Sequence, residues 1–558
     1  MQTLQHTLQN VIRDTFDVDI LPELTRPDEQ FGDYATNVAM QLAGRVRRSP
    51  REVAELLAEK LREVAGDDVK DVVIAGPGFI NVTLSDQALG AMAAAAPTLK
   101  PDTYKGQVVV AEYSDPNPFK ILHAGHLYTS VVGYAIGSLL EAAGGEVHRV
   151  NFGGDVGLHV GKTMWAMLQD LGGENPEKLA EIHVNERASW MASCYVKGNN
   201  AYDEDEDAKT HIVALNKRVY ELHSNEDRES AFAQIYWTCR EWSYEAFDDF
   251  YGRIGTPFEK YYPESICAPV GIQTVQEHMQ PGIYEQSDGA VIFKGEPHGL
   301  HTRVFINSQG IPTYEAKDVG LIMLKKQDYN FDRSVVITDN GQEQYMAVVL
   351  KSIEQFAPEL VKATTHLTHG VLKMKGGVKM SSRKGNILRA GDVLDAASEA
   401  NKANSGNDHD FVVLGAVKYA FLKQRIGPDI IYDPEESVSL EGNSGPYLQY
   451  AHVRARAILA KAQGLPAKEF SSFETGERSL ARKISEYPEV IQKAVNDLMP
   501  HQVCTYLYEL AQTFNRFYEH NRVIEDEREA HRLKLVSLYG DVLMDGLTLM
   551  GITAPERM

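Results

Sequence analysis

Residues 108–150 contain, in order, Val108-Val109-Val110-Ala111, Ser114-Asp115-Pro116-Asn117-Pro118, His123-Ala124-Gly125-His126 and Glu146-Val147-His148-Arg149-Val150. The first is an apolar, β-branched run that predicts a buried strand, and the second is a loop. From Leu127 onward Tyr128, Val131, Val132, Ala135, Ile136, Leu139 and Leu140 recur at helical spacing until Gly144-Gly145 ends the run. The last segment predicts the next strand. A strand–loop–helix–strand unit of this kind belongs to a Rossmann-like α/β domain. The helix start should offer unpaired backbone N–H groups and a positive dipole end to phosphate. His123 and His126 share one face of its first turn and can donate to the same oxygens. Gly125 should leave room for a nucleotide against the backbone.

The chain has 558 residues, 43% of them hydrophobic, which predicts several domains with sizeable cores. A net charge of -22 excludes indiscriminate nucleic-acid binding but leaves room for a local basic surface. Cys194, Cys239, Cys267 and Cys504 are too scattered for a zinc knuckle or a disulfide framework, so reduced cytoplasmic thiols and no structural zinc are expected. The N-terminus lacks the basic-then-apolar pattern of a signal peptide, and no run is long and apolar enough to span a membrane.

Residues 1–103 read as an α+β unit: helices over Leu4–Phe16 and Tyr34–Arg45, a third with Ser49 as N-cap and Pro50 in its first turn, then strands Val72–Ala75 and Phe79–Leu84. Residues 104–400 read as the nucleotide-binding domain, interrupted by a polar insertion over 185–245 with the acidic run Asp203-Glu204-Asp205-Glu206-Asp207. Residues 401–558 carry helical stripes around Val412–Leu422, Tyr447–Ala462, Val503–Phe517 and Leu533–Leu549, which predict an α-helical bundle.

A second motif lies far downstream, Lys379-Met380-Ser381-Ser382-Arg383-Lys384-Gly385-Asn386. Lysines and small hydroxyls in a glycine-flanked loop suit a clamp on a triphosphate. Paired with His123-Ala124-Gly125-His126, it resembles the HIGH and KMSKS motifs of class I aminoacyl-tRNA synthetases. Glu112-Tyr113-Ser114-Asp115-Pro116-Asn117, Pro312-Thr313-Tyr314-Glu315-Ala316-Lys317-Asp318 and Gly442-Asn443-Ser444-Gly445-Pro446-Tyr447 resemble segments of the arginyl-tRNA synthetase family, over nearly the whole chain.

The resemblance implies arginine activation with ATP and Mg2+, transfer to tRNA(Arg), and a cytoplasmic monomer with no membrane partner. His123, Gly125, His126, Lys379, Ser381 and Ser382 would then bind ATP. Ser382 stands where the family's second motif often has its strongest lysine, so Lys120 or, as competitor, Lys384 would supply that charge. A guanidinium is planar, charged and forked, and a carboxylate reads it best. Asp318 with Tyr314 on one helix face, together with Glu112, Asn117 and Gln342, would hold the arginine. Asp115 departs from the family's small residue, and could strengthen arginine binding or repel ATP. The tRNA D-loop would meet Phe79 and Asn81, and the anticodon loop Tyr447, Tyr450, Arg454 and Met558. For Phe79 a place in the core is the competing expectation. Another class I synthetase, a catalytically silent tRNA-binding paralogue and a small-molecule nucleotidyltransferase are the alternatives. The first is disfavoured by an anionic pocket without zinc ligands, the second by the intact histidines and Lys379, and the third by the large helical domain.

Overall fold

In the computed structural model of the chain, the described residues are 2–376, 388–406 and 409–558. The N-terminal part runs α1 (Gln2–Phe16), β1 (Tyr34–Thr36), α2 (Val38–Val46), α3 (Pro50–Val64), β2 (Val69–Ala75), β3 (Phe79–Leu84) and α4 (Asp86–Ala95). Ser49 caps α3 in a capping box with Glu52. The predicted helix over Tyr34–Arg45 is corrected at its start. Tyr34-Ala35-Thr36 pairs antiparallel with Ile80–Val82 instead, and the helix begins only at Val38. Strand order β1-β3-β2 puts Ile80, Val82 and Leu84 on the core face. Phe79, paired with Ala75, and Asn81, paired with Val73, take the outer face. Phe79 is 41% exposed, which removes the core alternative, while Asn81 is covered by its neighbours in the middle of the sheet.

The central part builds a parallel sheet of β4 (Val108–Glu112), β5 (Glu146–Gly153), β6 (Lys260–Pro263), β10 (Arg333–Asp339) and β11 (Thr364–His369) in the order β11-β10-β4-β5-β6. The chain winds one way from β4 through β6 and then returns to the other side of β4. The switch point therefore lies between β4 and β10, where open α/β sheets bind ligands. Helix α5 (Ala124–Ala142) follows β4, and α6 (Leu158–Asp170) follows β5. The polar insertion forms three long helices, α7 (Arg187–Glu204), α8 (Glu206–Ser224) and α9 (Ala231–Ile254). After β6 come α10 (Glu264–Glu277), the antiparallel strands β7 (Tyr284–Ser287), β8 (Ala290–Phe293) and β9 (Arg303–Ile306), and α11 (Tyr314–Tyr329). Helices α12 (Glu343–Glu354) and α13 (Pro358–Ala363) lie between β10 and β11.

Strand β12 (Leu372–Met374) pairs in parallel with β13 (Ile430–Tyr432), and α14 (Ala390–Ser405) and α15 (Asp410–Leu422) lie between them in sequence. The rest is helical: α16 (Pro434–Ser437), α17 (Gly445–Lys461), α18 (Thr475–Ser485), α19 (Tyr487–Asp497), α20 (His501–His520) and α21 (Glu529–Leu549). The N-terminal part is fastened to this bundle by charge. Buried Asp33 accepts from Arg478 at 2.6 Å, Asp86 from the same guanidinium at 2.7 Å, and Glu489 from Arg26 at 2.9 Å. The C-terminal tail is held at alternate carbonyls, Gly551 by Lys418, Thr553 by Gln449 and Pro555 by His452. No helix among the described residues is long and apolar enough to cross a membrane.

Glu477, fully buried on α18, accepts from Arg528 Nε at 2.8 Å and Arg532 Nε at 2.9 Å. Glu477→Gln removes the charge that both arginines face, and should cost about 3 kcal/mol of stability. A urea transition of the helical domain displaced to lower concentration checks this.

Candidate active site

Strand β4 delivers Glu112 to the switch point, and the loop after it carries Asn117, Lys120 and His123. His123 is the N-cap of α5. Its Nδ1 accepts from Gly125 N at 3.1 Å, and His126 Nδ1 accepts from His123 N at 3.1 Å. The rings stack with centroids 3.7 Å apart. Burial depresses both imidazoles, His123 to about 4 and His126 well below its ordinary value, with the neighbouring Lys120 ammonium acting in the same direction. Both are therefore neutral near pH 7. With each Nδ1 accepting, the hydrogen-bond pattern assigns the proton of each ring to Nε2.

One expectation is corrected here. The backbone N–H groups of the helix start are not open. Ala124 N donates to Leu388 O at 2.9 Å, Gly125 N to the His123 ring, and His126 N to His123 O at 2.9 Å. The phosphate donors the site offers in their place are the two Nε2–H groups. A Cβ on Gly125 would lie 2.9 Å from the His123 ring, so the glycine makes room for the histidine.

A cavity of about 260 Å³ opens beside these rings. Asn117, Lys120, Ile121, His123, His126 and Arg389 line one side, and Ser189, Ala192, Ser193, Tyr195 and Val196 of α7 line the other. Asn117 Oδ1 is anchored by Gly154 N at 2.7 Å. Lys120 stands 4.5 Å above the Tyr195 ring, and burial lowers its ammonium to about 8 against the opposing pull of Glu264. Lys379, Ser381, Ser382 and Lys384 lie outside the described residues. The chain that follows them is pinned to the first motif, since Ala390 N donates to Leu122 O at 2.9 Å and Leu388 O accepts from Ala124.

The predicted arginine-binding residues divide into those that gather and those that do not. Helices α10 and α11 cross closely at two glycines: a Cβ on Gly271 would strike Ala316 O, and one on Gly320 would strike Cys267 O. This crossing buries Asp318 and sets Lys317 against Glu264 in a buried ion pair. Asp318 accepts from the hydroxyl of Tyr345 on α12. Desolvation raises its carboxyl well above the ordinary range, and Glu112 and Glu264 add to the effect. Asp115, held at left-handed φ 52, accepts from Phe152 N at 2.9 Å and is raised by burial and by Glu112. Its carboxylate thus joins Asp318 in an electronegative crevice.

Glu112 differs from its expectation as a free substrate ligand. Its carboxylate is paired with the fully buried Lys325, which also donates to Ser334 at 3.2 Å. Gln342 is exposed ahead of α12, Gln344 is exposed in its first turn, and the α12 side chain that reaches Asp318 is Tyr345. Tyr314 begins α11 and is 56% exposed, while Asp318 on the same helix is buried. Sequence reasoning missed Glu264, Lys317, Lys325, Tyr345 and Tyr195.

On the helical bundle Tyr447 and Arg454 meet at one residue. Asn515 donates to Tyr447 OH at 2.8 Å and accepts from Arg454 at 3.3 Å, while Arg454 stacks 4.4 Å over Tyr518. Tyr450 is 50% exposed and Met558 is also exposed, whereas Phe517 belongs to the core.

Residues 2–84 match the arginyl tRNA synthetase N terminal domain, 91–433 the catalytic domain of tRNA synthetases class I (R), and 448–558 the DALR anticodon binding domain. The chain is 31% identical to the arginine--tRNA ligase of Frankia casuarinae, covering 97% of this chain and 96% of that one. It is 26% identical to that of Porphyromonas gingivalis over the full length of both. The solved arginyl-tRNA synthetase of Thermus thermophilus shares the fold with a TM-score of 0.81 at 24% identity, covering 100% of both chains. That of Plasmodium falciparum does so with 0.80 at 20%, covering 100% of this chain and 99% of that one. A catalytic-domain match over more than half the chain, with a relative 31% identical over nearly the full length of both, makes this chain a member of the arginine--tRNA ligase family of class I aminoacyl-tRNA synthetases.

Proposed function

We propose that this arginine--tRNA ligase joins arginine to ATP at the switch point and passes the arginyl group to tRNA(Arg). An oxygen of the arginine carboxylate bonds to the α-phosphorus as the bridging P–O bond breaks, and pyrophosphate leaves with that electron pair. The ester to the terminal ribose of the tRNA then forms with loss of AMP. No protein nucleophile is needed, so the enzyme aligns the groups and stabilises charge.

The observation that carries the reading is the neutral histidine pair. Two Nε2–H donors on rings whose centroids stack 3.7 Å apart, with the Lys120 ammonium in the same cavity, suit phosphate oxygens that gain charge. Asp318, held by Tyr345, takes the guanidinium, with Tyr314 at the open end. Asn117 lies nearer the α-carboxylate end of the substrate, and Glu112 and Gln342 contact the arginine as well. Lys379, Ser381 and Ser382 bind ATP, with Lys379 on the departing pyrophosphate and Lys384 as the competitor for the charge assigned to Lys120. A Mg2+ accompanying the triphosphate would help neutralise its charge. The outer face of β3 with Phe79 and Asn81 takes the D-loop, and Tyr447, Tyr450, Arg454 and Met558 take the anticodon loop. The parts act within a cytoplasmic monomer divided near residues 103 and 400.

Charging of a tRNA(Arg) transcript with labelled arginine tests the reading, and failure of label to reach the tRNA overturns it. Tyr447→Ala with Arg454→Ala should raise the tRNA concentration needed for half-maximal charging by about tenfold, from loss of two stacking contacts. Saturating tRNA should restore the rate.

A further inference from the structure

The polar insertion has no role in the account so far, yet its first helix forms one wall of the cavity over the two histidines. That wall is built in rather than draped over. Helix α7 packs along α6 through Gly198, where a Cβ would lie 1.9 Å from Lys162 O, so only a glycine permits the approach. Lys162 Nζ also reaches Asn199 Oδ1 at 2.8 Å and lies 4.2 Å over the Tyr202 ring, which fixes the register of the two helices. Tyr195 is one turn before Gly198. The same packing that seats the glycine therefore presents the tyrosine ring to the cavity, 4.5 Å from Lys120 Nζ.

We propose that Tyr195 is a positioning residue for adenylation: its ring face holds the Lys120 ammonium in the cavity, aimed at the phosphate oxygens beside His123 and His126. A lysine side chain has four rotatable bonds and is strongly hydrated. The loop that carries Lys120 gives it no carboxylate within ion-pair distance among the described residues. An aromatic face attracts the cation without neutralising it, as a carboxylate would, so the charge remains available to the triphosphate. The insertion then contributes to catalysis through one side chain, and its acidic outer surface is a separate matter. The inference rests on the reading of Lys120 as a catalytic charge.

A double-mutant cycle on arginine-dependent ATP–pyrophosphate exchange, with tRNA(Arg) present, tests it. Y195L should lower kcat by about 5- to 20-fold, the range of a desolvated cation–ring contact, with the KM for arginine unchanged. Y195F keeps the ring face and should retain most of the rate. In a K120A background Y195L should cost less than twofold, because its partner is gone. Equal losses from Y195L with and without Lys120, or a Y195F as slow as Y195L, overturn the positioning role. K120A at the unmodified rate overturns the Lys120 reading and Tyr195 with it; if K384A alone is slow, the charge belongs to Lys384. Thermal unfolding of Y195L beside the unmodified chain separates a loss of rate from a loss of fold.

Discussion

Asp318→Asn should lower kcat/KM for arginine by about 30- to 1,000-fold, about 2–4 kcal/mol of lost pairing with a buried guanidinium. The KM for ATP should not move, since the phosphate donors sit on α5 and its preceding loop. The amide oxygen still accepts from the Tyr345 hydroxyl, so the fold should survive and the loss should lie in recognition. The direction of the Asp318 titration adds a second signature. Desolvation, Glu112 and Glu264 hold its carboxyl well above the ordinary range, so it takes a proton at a higher pH than an exposed aspartate does. Arginine affinity in the unmodified chain should therefore weaken as pH falls, and that dependence should vanish in Asp318→Asn. An unchanged arginine KM and kcat would remove Asp318 from the pocket.

The second large effect is on stability. His123 is depressed by burial to about 4, against about 6.5 when unfolded. Above pH 6.5 neither state is protonated at this residue and no difference arises. As pH falls from 6.5 toward 4 the unfolded state binds a proton that the folded state refuses, so stability is lost across that window. The shift corresponds to about 3 kcal/mol once pH reaches 4. His123→Asn keeps an N-cap acceptor and has no such titration. Denaturant unfolding at pH 7.5 and 4.5 should find this variant gaining about 2–3 kcal/mol on the unmodified chain at the lower pH. A difference independent of pH would contradict a desolvated, neutral histidine.

The catalytic frame was legible because it rests on local pattern. An apolar β-branched run, a proline-containing loop and a long helical stripe each predict one element, and those elements stand at Val108–Glu112 and Ala124–Ala142. The two histidines were legible as a pair at the start of that helix, but the use of their Nδ1 atoms as caps was not, since it depends on ring orientation. At Tyr34 the helical pattern of the following residues masked a three-residue strand whose partner lies far ahead in sequence.

The arginine crevice was only half legible. Asp318 stood in a recognisable segment, but Tyr345, Lys325 and Glu264 are single polar residues on helices that read locally as solvated. The close α10–α11 crossing at Gly271 and Gly320 turns Glu264 inward against Lys317, and Lys325 and Tyr345 reach Glu112 and Asp318 across the fold. Glu112 illustrates the consequence: at the end of a strand it reads as an open ligand, and a lysine 213 positions away neutralises it. Tyr195 was hidden for the same reason, in an insertion whose composition spoke only of surface.

The most direct test of the account is ATP–pyrophosphate exchange measured with each of the twenty amino acids, with and without total tRNA. The account predicts exchange with arginine alone among them, and dependence on tRNA if docking on the helical domain biases the catalytic site toward its competent form. Exchange with a different amino acid, or none with arginine even at saturating tRNA, would contradict it.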